Sequence, residues 1–132
     1  MIFSAWRCTW LVVCLILVSC SDARNAPVLP PQIWEGVEVS VETRPLVPAP
    51  GMNEFLVIAT EKPRRPTADM IVSIRMGEAD PWRQAIQDGH VGVYRRALLI
   101  GKEANPVLHI YLKRGGKEAM LNFPLQMHGG SK

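Results

Sequence analysis

Apolar and polar side chains alternate with a period of two along most of the chain from residue 34 onward. Val37, Val39 and Val41, for example, alternate with polar residues, which is typical of a β-strand that buries one face. No long amphipathic helical pattern interrupts this alternation. Strands are predicted over residues 37–42, 53–60, 69–76, 91–100, 107–113 and 117–125, and residues 82–87 predict either a short strand or one helical turn.

Turn-forming residues separate these strands at short intervals. The Gly115-Gly116 pair predicts a two-residue hairpin between the last two strands, because primed turns need positive φ. About seven short strands in residues 34–127 predict an all-β domain, a β-sandwich, and residues 128–132 predict a frayed tail. The predicted core-facing side chains are Met70, Val72, Ile74 and Met76, then Leu108, Ile110 and Leu112, and finally Leu121, Phe123 and Leu125.

The amino terminus has a different pattern, because an uninterrupted apolar run occupies residues 8–18. Arg7 places a positive charge before the run, which is shorter than the roughly 20 residues needed to span a bilayer. These features are typical of a secretory signal peptide. The run ends in residues 17–20 (LVSC), which resemble the lipobox of bacterial lipoproteins.

The lipobox resemblance implies that residues 1–19 are removed and that Cys20 becomes the lipid-bearing first residue, with several acyl chains that give stable membrane attachment. Residues 20–33 are polar and then Pro-rich, and they predict the lipidated cysteine followed by a flexible tether. In this family an Asp directly after the cysteine often marks inner-membrane retention, and here that position is Ser21. The sequence therefore predicts a lipid-anchored domain facing the periplasm, with the outer membrane favoured if the cell is Gram-negative.

Cysteine usage and charge narrow the chemistry. Cys8 and Cys14 leave with the predicted signal and lipidation consumes Cys20, so the mature domain is predicted to have no disulfide and no thiolate nucleophile. The formal charge is +3, and +3 minus the charge of Arg7 leaves +2, which is too small to indicate a nucleic-acid partner.

Residues 51–125 resemble YtkA-like and FixH-like domains. Residues 51–57 (GMNEFLV) resemble the G-x-N motif that opens these domains. Gly92-Val93-Tyr94 resembles the "G-x-Y" motif that starts one of their strands. Residues 107–125 match their final hairpin, whose turn is Gly-rich. The chain departs from the family at residues 105–108, where members often have Gly-x-Trp, and Met76 stands alone where some have clustered Met and His. The resemblance implies an immunoglobulin-like sandwich, and several members are linked to cytochrome oxidase assembly or copper handling.

Few residues suggest catalysis or metal binding. His90, His109 and His128 have no Ser in a Gly-x-Ser-x-Gly elbow to activate, so an enzyme is not predicted. No cofactor is predicted, and the alternative is a copper carrier using soft Met and His ligands, with Met76 and His90 as candidates. The alternative reading of Met76 is a methionine that fills the core.

The segment around residues 81–90 is rich in side chains used for recognition. Trp82, Arg83, His90, Arg95 and Arg96 are the candidate surface for an envelope protein partner. The alternative is a Trp buried between the sheets with the charges in solvent.

Tyr94 follows a turn and is predicted to have a structural role, as in a tyrosine corner whose hydroxyl bonds backbone a few residues upstream. Together these features predict a lipid-anchored, non-enzymatic module that binds or supports another envelope component, such as a respiratory or metal-handling assembly.

Overall fold

The computed structural model describes residues 29–62, 64–103 and 105–127. The predicted signal peptide, the lipobox with Cys20, the first part of the tether and the tail with His128 lie outside the described residues. Within the described ranges all regular structure is β-strand, which confirms the all-β prediction.

Ten antiparallel strands form two sheets that pack as a sandwich. The first sheet has the order β1-β2-β3-β8-β7, with β4 on β3, and the second has the order β10-β9-β5-β6. The strands are β1 Gln32–Trp34, β2 Val37–Arg44, β3 Gly51–Glu61, β4 Arg65–Pro66, β5 Ile71–Met76, β6 Arg83–Gln84, β7 Ile86–Gln87, β8 Val93–Ile100, β9 Val107–Arg114 and β10 Lys117–Pro124.

The connectivity is that of an immunoglobulin-like sandwich. If β2, β3, β5, β8, β9 and β10 are equated with strands A, B, C, E, F and G, the A-B-E neighbours share one sheet and G-F-C the other. The prediction of about seven strands is exceeded because β1, β4, β6 and β7 have only two or three residues. Such short strands show too few alternations to be read from a pattern.

The amino-terminal edge of the fold begins earlier than predicted. Residues 32–34 form β1, although the tether was predicted to extend to residue 33. The connection to β2 is a two-residue turn in which Glu35 and Gly36 have φ values of 50° and 74°. Leu29 is already packed against the core, so the sandwich includes the end of the predicted tether.

The core lies between the inner faces of the two sheets, as the period of two predicted. Met70, Val72, Ile74 and Met76 are all buried, which confirms the predicted inner face of β5. The final hairpin also forms as predicted, with positive φ at Gly115 and Gly116. Its predicted inward side chains are buried in the core, apart from Leu121, which is partly buried: Leu108, Ile110, Leu112, Phe123 and Leu125.

Residues 82–87 connect the two sheets, which neither predicted alternative describes fully. β6 pairs with β5 in the second sheet, and β7 pairs with β8 in the first. Between them, Ala85 is buried and its N–H donates a 2.8 Å hydrogen bond to the carbonyl of Val72. We call this segment the crossover. Because each of its strands has two residues, it covers only a small part of β8.

Tyr94 is fully buried and joins β8 to the connection between β4 and β5. Its hydroxyl donates to the carbonyl of Thr67 at 2.8 Å and accepts from the N–H of Met70 at 3.3 Å. These partners are 24 and 27 residues upstream rather than a few, and β8 corresponds to strand E whereas a tyrosine corner lies on strand F. The residue therefore links distant segments and is not a tyrosine corner. Burial raises the pKa of Tyr94 above its ordinary value.

Two residues from the segments that resemble YtkA-like and FixH-like domains have local structural roles. Asn53 is buried, and its amide group hydrogen-bonds to Ala49 and Gly51, which fixes the loop before β3. Gly92 has a φ of 73°, and a Cβ at this position would lie 2.5 Å from the carbonyl oxygen of Ala59. Only glycine therefore lets the start of β8 approach β3 this closely.

Candidate functional site

The structure separates the residues of the predicted partner surface. Arg83, Arg95 and Arg96 line one groove at the β8 edge of the first sheet. His90 lies in the exposed turn between β7 and β8 and is not among the residues that line the groove. Trp82 lies on the outer face of the second sheet, so the five predicted residues do not form one patch.

The groove is an open depression of ≈ 700 Å³ between β8 and the crossover. Its apolar part includes two side chains that are largely exposed, Ile86 at 68% and Leu99 at 64%. Large apolar side chains exposed together often mark an interaction site. The residues that line the groove are Met52, Glu54, Arg83, Ile86, Gln87, Asp88, Arg95, Arg96, Ala97, Leu98 and Leu99.

Arg95 is held by two ion pairs on the outer face of the first sheet. Its guanidinium lies 2.9 Å from the carboxylate of Asp88 and 3.4 Å from that of Glu54. Exposed ion pairs of this kind contribute little stability, about 0–1 kcal/mol each. These ion pairs hold Arg95 against β3 and the turn after β7. The other two cationic side chains that line the groove are Arg83 and Arg96.

Arg83 and Arg96 come from different sheets and reach the same gap. Arg83 pairs in register with the buried Ile74, so its side chain is on the inner side of the second sheet. Arg96 alternates with the exposed Ala97 and is on the same side of β8 as Tyr94. Both side chains therefore extend from the inner faces into the gap between the two sheets at the β8 edge.

A separate aromatic cluster covers the outer face of the second sheet. The guanidinium carbon of Arg75 lies 4.3 Å from the centre of the Trp82 ring, in a cation–π arrangement. The Trp82 ring centre lies 5.9 Å from that of Tyr111 and 6.5 Å from that of His109. Trp82 is 38% exposed, so the alternative in which it is buried between the sheets is wrong.

His109 lies within this cluster and is only 7% exposed. Its Nδ1 has no hydrogen-bond partner among the residues that the structure describes. A hydrogen bond from Tyr111 to Glu118 raises the pKa of the Tyr111 hydroxyl. The cluster is packed against its own sheet, and we regard it as part of the surface architecture rather than of the groove.

The two candidate copper ligands are not brought together. Met76 is in the core at the far end of β5, whereas Met70, at the other end, contacts Tyr94 near the turn that contains His90. Met70 and Met76 are six residue steps apart along the strand, a distance of about 20 Å. Within the described ranges, no group of three or more His, Cys, Asp or Glu side chains is arranged to hold a metal ion.

Sequence reasoning missed the apolar half of the groove. Met52, Ile86 and Leu99 lie on three different strands, and the sequence does not show that these strands are neighbours. One signal was present: residues 97–100 (ALLI) are apolar without alternation, which indicates a strand with apolar residues on both faces.

Comparisons with family models, with curated protein sequences and with solved structures found no match. In the part of the chain that the structure describes, no helix has the length and apolar character needed to cross a membrane.

Proposed function

We propose that this chain is a lipid-anchored, non-enzymatic binding module of the bacterial cell envelope. Cys20 carries the lipid, the sandwich faces the periplasm, and the groove beside β8 contacts another envelope component. The observation that carries the proposal is the LVSC segment at residues 17–20, directly after an apolar run that is too short to span a bilayer.

The position of the groove supports this proposal, because the chain enters the sandwich at the opposite edge. Leu29 lines a cavity with residues of β2 and with Leu125 near the end of the described chain. In the first sheet β3 separates β2 from β8, so the groove lies across the sheet from this corner. A tether that reaches the sandwich at Leu29 therefore leaves the groove accessible.

The anchoring part is tested by metabolic labelling in a bacterial host with an alkyne-modified palmitate. We expect the full chain to incorporate the label and to sediment with membranes, and Cys20→Ala to lose both properties. Cys14→Ala is the matched control, because Cys14 lies in the apolar run that is removed, and it should label like the natural chain. A mature polypeptide whose mass shows an unmodified Cys20 thiol would refute anchoring.

The binding part is tested by photo-cross-linking in intact cells. A photoreactive residue at Leu99 lies in the groove, and one at Met120 is also more than half exposed but lies on the second sheet. We expect a cross-linked partner from Leu99 that is lost in Arg83→Glu and is absent from Met120. Identical products from both positions would show that the groove is not the contact surface. The family resemblance makes respiratory and metal-handling assemblies the first partners to examine.

A further inference from the structure

The second half of β8 has backbone groups that no strand of the described chain satisfies. The N–H of Ala59 donates to the carbonyl of Gly92 at 2.8 Å, which fixes the alternation of hydrogen bonds between β3 and β8. Even-numbered residues of β8 therefore bond to β3, and odd-numbered residues direct their N–H and C=O groups away from it. The crossover pairs with Arg95 but not with Ala97 or Leu99.

The side chains around this free edge have two different chemistries on its two faces. On the outer face, Leu99 and Ile86 provide exposed apolar surface. On the inner face, Arg83 and Arg96 extend into the gap, and neither forms an ion pair with a carboxylate of the described residues. In a strand placed here, every second side chain would therefore contact the apolar groups, and the side chains between them would contact the two arginines.

We infer that the β8 edge binds an extended segment of a partner protein by strand addition. The segment lies in line with β7, bonds to the backbone of Ala97 and Leu99, and alternates apolar with acidic side chains. Main-chain hydrogen bonds provide affinity in this mode of recognition, and alternate side chains provide specificity. The inference rests on the proposed binding function and adds its partner chemistry.

Charge complementarity favours a partner segment over a second copy of this chain. Pairing of two β8 edges would bring Arg83 and Arg96 of both copies into one gap. Like charges placed opposite one another across paired strands are destabilising. An acidic segment instead gives each guanidinium a carboxylate partner, and charge-assisted hydrogen bonds of this kind are stronger than neutral ones.

The test measures fluorescence anisotropy of a fluorescein-labelled peptide, TVEVEVT, with the full chain purified in mild detergent. We expect saturable binding, about tenfold tighter than that of TVKVKVT, in which lysines replace the acidic residues. Arg83→Gln combined with Arg96→Gln should reduce this preference to about twofold or less. No binding at about 1 mM TVEVEVT, or equal binding of both peptides, would overturn the inference.

Ala97→Pro tests the backbone contact directly. Proline removes the outward N–H of residue 97 and leaves the bonds between β8 and β3 in place, as expected for proline in an edge strand. We expect TVEVEVT to bind about tenfold more weakly. Met120→Pro is the matched control, because residue 120 also directs its N–H outward, from the edge strand of the other sheet, and binding should not change.

A second measurement covers the case in which Ala97→Pro fails to fold. TVEVEVT methylated on the central valine nitrogen should bind the natural chain about tenfold more weakly, and undiminished binding would contradict strand addition.

The outcomes also separate the two proposals. Peptide binding without lipid on Cys20 would refute anchoring alone, and lipidation without peptide binding would refute strand addition alone.

Discussion

The sandwich has two lateral edges, and they are closed to different extents. At the β1–β10 edge, the Gln32 side-chain amide donates a 2.7 Å hydrogen bond to the carbonyl of Asn122, and Lys117 lies 3.0 Å from Glu35. These contacts join the two sheets through polar side chains. Pro124 at the end of β10 also has no N–H to offer a neighbouring strand.

At the β8 edge, the short crossover joins the two sheets. The crossover bonds to Val72 through Ala85 and pairs with Tyr94 and Arg95, and then the pairing stops. Natural proteins generally cover or charge their edge strands, because unpaired backbone groups invite association with other chains. This difference between the edges is the basis of the proposal that the β8 edge binds an extended segment, with arginines that restrict which chain can bind.

The largest expected effect that tests this comparison is in amide hydrogen exchange measured by NMR. The N–H of Leu98 bonds to β3 and should be protected by about a thousandfold or more, whereas those of Ala97 and Leu99 should exchange almost freely. Arg95, which pairs with the crossover, should be intermediate. Protection of Leu99 equal to that of Leu98 would mean that the edge is covered.

The next effect concerns the turn that precedes β8. Gly92→Ala should lower the free energy of unfolding by about 3 kcal/mol, because the new methyl group meets the carbonyl of Ala59 in a strained backbone conformation. Gly89→Ala is the control, with a φ of 62° and no heavy atom within 4 Å of its Cβ. Gly89→Ala should lower the free energy of unfolding, measured by urea denaturation, by about 1 kcal/mol. Equal losses would show that close approach is unimportant.

Removing the Tyr94 hydroxyl should have a smaller effect. Tyr94→Phe leaves the carbonyl of Thr67 and the N–H of Met70 without this partner, and we expect a loss of about 2 kcal/mol in the free energy of unfolding. Urea denaturation at neutral pH measures the difference. A loss below about 0.5 kcal/mol would mean that water replaces both bonds.

The difference in stability between the natural chain and Tyr94→Phe is predicted to depend on pH. The pKa of the Tyr94 hydroxyl is higher in the folded state than its unfolded value of 10.0. The protonated hydroxyl therefore contributes its full stabilisation of the fold at pH values below 10.0. This stabilisation is lost as the pH rises through the folded pKa, because the unfolded chain then releases the proton more readily. The stability advantage over Tyr94→Phe should therefore shrink above pH 10, and an advantage that grows there would contradict the burial argument.

The smallest effect is expected at the closed edge. Gln32→Ala removes an exposed hydrogen bond and should lower the free energy of unfolding by about 0.5–1 kcal/mol. Lys117→Gln removes an exposed ion pair with Glu35 and should cost at most about 0.5 kcal/mol, less at high salt. Urea denaturation at two salt concentrations measures both. A loss near 3 kcal/mol would mean that this edge contributes like core packing.

The long strands could be predicted because burial of one face imposes a period of two. The inward set on β5, with Met70 at its start, and the Gly115-Gly116 hairpin were both predicted for this reason. The turn between β1 and β2 was missed, since Glu35 adopts positive φ although glutamate is not a usual residue of primed turns. The crossover was ambiguous, because a strand that changes sheets after two residues shows no stable period.

The candidate site could be predicted only in part. The cations of the groove were found because arginines are recognisable in sequence, but Trp82 was grouped with them wrongly. Trp82 and Arg83 are adjacent in the chain, and adjacent residues of a strand point to opposite faces. The exposed apolar residues of the groove follow from the order of strands β7, β8 and β3, which depends on the tertiary fold.

The short crossover has a consequence for how such a domain could diversify. A few residues inserted between Ala85 and Ile86 would let β7 begin earlier, extend along Ala97 and Leu99 and shut the groove, while the core sequence stayed unchanged. Surface connections tolerate insertions and deletions far better than packed strands do. Under the proposed strand addition, loss or gain of recognition would therefore require only a change in the length of this connection.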